Sequence, residues 1–168
     1  MKVQSTPVVV EHDIYCWLFQ RNLRRIGVHK TDGWCTQIRD EKPIYFDREE
    51  KCVLLLILLE LTMSEFNQCL ANAKHEAPDY ADSIQRFPLT MLLQHTLCSE
   101  MSDYWPAKAL DWIDACSDIL PELTDALAYA TGNKALSQSL RHRARRMWRI
   151  SQRTQPMHRD HALAVGEI

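Results

Sequence analysis

Glycine scarcity is the strongest constraint in this sequence: only four glycines occur in 168 residues, about a third of the usual share. Glycine supplies positive-φ turns without steric cost, so hairpins every ten residues and phosphate-cradling loops are disfavoured. That scarcity predicts an all-α chain, a bundle of six or seven helices with possible HEAT-like pairing. Its length suits one domain over residues 1–153, with a tail from 154 to 168 that has no clear period.

Apolar spacing supplies the expected elements. Ile14, Trp17, Leu18 and Ile26 sit near helical spacing in DIYCWLFQRNLRRI, with Asp13 as an N-cap and Gly27 as a stop. Residues 28–46 lack a sustained period and read as a connection, with a short strand at IYF (44–46) as the alternative there. Asp47 and Glu50 resemble a capping box for one long helix over 48–74, whose VLLLILLEL run is apolar all round and belongs in the core. That run is too short to span a bilayer, which takes about 20 residues. Pro78, Pro88, Pro106 and Pro121 then punctuate shorter helices. Gly132 suits a left-handed C-cap, and a final helix covers about 133–152.

The net charge of −2 conceals a separation along the chain. Residues 99–133 hold Glu100, Asp103, Asp111, Asp114, Asp118, Glu122 and Asp125 against Lys108 alone. Residues 134–153 hold Lys134, Arg141, Arg143, Arg145, Arg146, Arg149 and Arg153 with no acid. At 100° per residue, Asp111, Asp114 and Asp118 share one helix stripe, which suits either a solvated face against the basic helix or a basic protein partner. With Asp103 and Glu122 they form the candidate partner-binding set. Arg145, Arg146, Arg149 and Arg153 form an alternative surface for nucleic acid, whereas Leu136, Leu140, Met147 and Ile150 make the apolar side. Arg143 falls in that apolar sector and calls for an internal carboxylate partner.

Signs of catalysis are sparse. The sequence contains no H-E-x-x-H, G-x-S-x-G, P-loop or dinucleotide fingerprint. Six cysteines show no C-x-x-C spacing and read as reduced packing residues, and the close pair His158 and His161 falls in the tail. No metal, cofactor or enzymatic activity is expected. MKVQSTPVVVEHD lacks the form of a secretory signal, so a cytoplasmic location is expected.

SDYWPAKALDWI (102–113) and QSLRHRARRM (138–147) resemble the helical immunity proteins that bacteria encode beside polymorphic or contact-delivered toxins. The resemblance covers about residues 88–150 and consists mainly of packing residues such as Tyr104, Trp105, Leu110 and Trp112. It implies a stoichiometric toxin inhibitor active in bacterial competition, without catalysis. The acidic stripe, facing a basic toxin cleft, is inferred from charge alone. Membrane is not expected as a partner, and nucleic acid is the weaker alternative; the oligomeric state stays open.

Overall fold

A computed structural model of the chain describes residues 4–99 and 102–154. It is mixed α/β, not all-α. Five antiparallel strands, β1 (Gln4–Glu11), β2 (Tyr15–Arg21), β3 (Arg24–His29), β4 (Gly33–Ile38) and β5 (Ile44–Tyr45), form a meander in sequence order. The expected first helix is therefore the β2–β3 hairpin, and the expected connection holds the end of β3 and all of β4 and β5. The suggested HEAT-like pairing falls with the all-α reading.

Turn chemistry explains the error. His12, Asp13, Asn22 and Arg39 adopt φ of 53–54° at the turns, and among the described glycines only Gly33 has positive φ. Asn and Asp tolerate this region better than most residues, because their short side chains can bond locally. At the tip after β3, His29 Nδ1 accepts from the backbone N–H groups of Thr31 and Asp32. The hairpins thus form with little glycine.

Binary alternation is also hidden. Cys16, Trp17, Leu18 and Phe19 are all buried, and the β2–β3 register shifts between Trp17 and Phe19. A strand buried on both faces reads as a continuous apolar run, and a bulge erases the remaining period. One face packs on helices: Phe19 stacks on Phe66, and Trp34 meets Phe87 edge-on. On the opposite face, Trp17 lies between Tyr15 and the Arg25 guanidinium and donates from Nε1 to Glu11 Oε2 at 2.7 Å. Arg25 also pairs with Glu11 at 3.0 Å.

Gly27 does not stop a helix. It lies in β3 opposite Trp17 and Cys35, and a Cβ there would approach Cys16 O to 2.1 Å and Trp17 Cα to 2.7 Å. Both obstacles are backbone.

The long helix expected over 48–74 is two elements. Glu49–Glu60 is a 3-10 helix, and α1 runs from Met63 to Glu76 after a bend of 101°. A 3-10 helix has three residues per turn. That period aligns Cys52, Leu55 and Leu58, all with no exposed surface. At the bend, Thr62 and Glu65 form a reciprocal capping box that starts α1. The cap is thus 15 residues beyond Asp47, whose carboxylate instead meets Lys51.

The remaining helices are α2 (Ala81–Gln85), α3 (Leu89–Cys98), α4 (Tyr104–Ala115) and α5 (Thr124–Gly132), each near a proline signal, and α6 (Gln138–Thr154), which begins five residues after the expected start at about 133. A 3-10 segment, Ser117–Leu123, carries Pro121. Gly132 ends α5 without positive φ, contrary to the C-cap expectation. Sheet and helices share one core, in which Phe66 meets Phe19, Phe87 and Trp112. All six cysteines are free, and burial raises the thiol pKa of Cys16 to about 11 and that of Cys35 to about 12. Among the described residues no single helix is long and apolar enough to cross a membrane. The expected tail falls almost wholly outside the described residues.

Gly27→Ala should destabilise the protein by about 3 kcal/mol, the upper part of the usual overpacking range, as measured by urea unfolding; a loss under about 0.5 kcal/mol would contradict the close approach. Glu11 is held below the usual carboxylate range, chiefly by the Trp17 indole N–H and then by Arg25, against the opposing effect of burial. Its stabilising contribution is therefore present above the unfolded carboxyl pKa and is lost as pH falls through the lower folded value. Glu11→Gln should flatten the acid side of the stability profile while unfolding cooperatively at neutral pH.

Candidate functional site

The charged segments meet where α4 packs beside α6. Leu110, Trp112 and Ile113 are buried on the inner side of α4, and Ala144, Met147 and Ser151 on that of α6. With those faces inward, the carboxylates of α4 and the guanidinium groups of α6 come together at the rim. Arg143 Nε and Nη2 donate to Asp114 Oδ2 at 2.9 and 2.6 Å, and Arg143 Nη1 donates to Asp111 Oδ1 at 2.7 Å. Arg146 Nη2 lies 3.7 Å from Asp114 Oδ1. The carboxylate partner expected for Arg143 is present, but the cluster is at the surface: the Arg143 side chain is 25% exposed, and those of Asp111 and Asp114 are 56% and 42% exposed.

The other acids have separate roles. Asp103 Oδ1 accepts from the Ser137 backbone N–H at 2.9 Å, tying the start of α4 to the start of α6. Hydrogen bonding from Ser137, by its side chain first and then by this backbone group, holds the Asp103 carboxyl below its usual range. Glu122 accepts from the Thr90 hydroxyl at 2.6 Å and its carbonyl from Gln94, linking the Ser117–Leu123 segment to α3. Asp118 is exposed, and its carboxylate has no hydrogen bond or ion pair among the described residues. Of the five acids expected to meet a partner, four are therefore engaged within the chain. Glu100 lies outside the described residues.

On α6, Arg145, Arg146, Arg149 and Arg153 are exposed, and with His142 and Ile150 they line a shallow groove of about 440 Å³. Among the described residues only Arg146 of these four arginines has a carboxylate within 4 Å. Ile150, expected on the apolar side, is 45% exposed and stands among the arginines. Tyr104 is likewise half-exposed, whereas Leu110 and Trp112 are buried as expected. Trp112 Nε1 donates to Leu61 O at 2.8 Å, anchoring α4 to the bend before α1.

Sequence reasoning missed the aromatic group on the outer sheet face. Tyr15, His29 and Tyr45 meet ring to ring, and the Tyr15 and Tyr45 hydroxyls lie 3.3 Å apart. Only the strand register brings them together, so no local spacing could have marked them. Among the described residues no cluster of three or more His, Cys, Asp or Glu side chains suits a metal ion; His158 and His161 lie outside those residues. Comparison with protein-family models, curated proteins and solved structures finds no match.

Arg143 holds two helices through charge-assisted bonds at a partly exposed site, where such a network contributes about 1 kcal/mol. Arg143→Gln should lower stability by that order and make α6 amides exchange faster in hydrogen exchange. Unchanged protection in α6 would show that apolar packing alone fixes the helix.

Proposed function

We propose that this chain is a non-catalytic, immunity-type inhibitor that binds and occludes a cognate bacterial toxin in the cytoplasm. The observation that carries the reading is the Arg143 clamp: the two segments that resemble immunity proteins, 102–113 and 138–147, form α4 and much of α6, which that clamp joins. A rigid, charge-patterned helical surface suits recognition of a folded protein, because fixed charges select a partner and steer its approach.

The internal pairing relocates the contact. Asp111 and Asp114 are already compensated by Arg143, so Asp118 is the acid on this surface whose charge is available to a basic toxin group. A uniformly charged nucleic acid suits the surface less well. Phosphates drawn to Arg149 and Arg153 would also approach the acidic row beside them.

The direct test is to co-produce the chain with the toxin domain encoded beside its gene in a susceptible bacterial host. Growth should be rescued and a 1:1 complex should co-elute. Asp118→Lys should weaken the complex about tenfold, the effect of roughly 1.4 kcal/mol, without altering thermal unfolding. Failure of the wild-type chain to rescue or to bind would overturn the inhibitor reading. Unchanged affinity of Asp118→Lys would remove the acidic surface from it.

A further inference from the structure

The seam contains two parallel rows of opposite charge. Arg143 reaches Asp111 and Asp114, while the Thr124 hydroxyl meets the Ser151 hydroxyl at 3.0 Å. The chain from 114 to 124 therefore runs alongside α6 from 143 to 151 in the same direction. Asp118 falls between those two ties, at the level of the middle of α6. On the outer side of α6, Arg149 and Arg153 follow one another a turn apart, and exposed Ile150 lies between them and the acidic row. Among the described residues Asp118, Arg149 and Arg153 have no charged partner, although each is within the span of this surface.

Such a pair of rows is self-complementary. A two-fold axis lying parallel to the rows and between them carries each basic row onto the acidic row of the other copy. An axis across the rows would set like charges together. A uniformly acidic partner would satisfy the arginines but repel Asp118, and a uniformly basic one would do the reverse. A second copy brings the available Asp118 of each chain to a basic row of the other and places the two Ile150 side chains near the axis.

We infer that two copies of this chain associate through α6 and the Ser117–Leu123 segment, with Arg149 of each facing Asp118 of the other. The 17 residues of α6 give a strip roughly 26 Å long. At a width of about 20 Å, the interface buries on the order of 1,000 Å² in total, the low end for specific association. The dimer is therefore weak and sensitive to salt. A toxin held through Asp118 and a second copy held through Asp118 exclude one another at this surface, and the inference does not rest on the toxin reading, because the purified chain alone tests it.

Sedimentation equilibrium of the full chain provides that test. In about 20 mM salt the wild-type mass should rise with concentration toward twice the 19.6 kDa of the chain, and in about 500 mM salt the dissociation constant should increase at least about tenfold through screening. Arg149→Glu and Asp118→Lys should each remain monomeric in low salt, with unfolding midpoints like that of the wild type. Mixed together, they should form a heterodimer, because the glutamate then faces the lysine and the untouched Asp118 faces the untouched Arg149. A wild-type chain that stays monomeric in low salt overturns the inference. So does a dimer that survives either reversal, or two variants that fail to associate when mixed.

Discussion

Phe66 is the contact on which the arrangement of this chain depends. It sits on α1 and is nearly inaccessible to solvent. From there it touches Phe19 of the sheet, Phe87 before α3 and Trp112 of α4. Aromatic side chains bury large areas and favour definite stacking geometries, so one such contact sets distance and angle together. Two indole bonds complete the frame: Trp34 Nε1 donates to Ile84 O and Trp112 Nε1 to Leu61 O. The sheet, the bend at Leu61 and Thr62, and the outer helices are thereby positioned around one aromatic centre.

That frame determines where charge appears. Burial of Trp112 and Met147 turns the carboxylates of α4 toward the guanidinium groups of α6. Arg143 then compensates Asp111 and Asp114, and Arg146 approaches Asp114. A stripe that resembles a partner surface on an isolated helix is, in the folded chain, largely an internal bond between helices. Asp118 stays outside this bond because the helix has already given way to a 3-10 segment, which changes the angular period. The function proposed for the seam depends on this distinction between paired and available charge.

Legibility in the sequence followed the range of the interactions. Helices α2 to α6 were readable from prolines and 3.6-residue spacing, because both act within a few residues. The need of Arg143 for a carboxylate was readable for the same reason, though its exposed setting was not. Residues 13–45 read as a helix and a connection because hairpins ordinarily favour glycine, whereas Asn22, Asp13, His12 and Arg39 occupy the positive-φ positions. The capping box at Thr62 and Glu65 was a local signal that the apolar run before it obscured. The three-residue spacing of Cys52, Leu55 and Leu58 was equally present, but it favours a 3-10 helix only once a surrounding core rewards that alignment.

By itself, then, the sequence determined the charge blocks, the presence of the helices after Pro78 and the buried faces of α4 and α6, since these depend on residue identity and local period. Tertiary structure decided that residues 4–45 form a sheet, that Gly27 is needed for a close strand approach, and which acids are compensated by which arginines. Those outcomes depend on pairing between distant segments, and pairing energies enter only when the chain has brought both partners into contact.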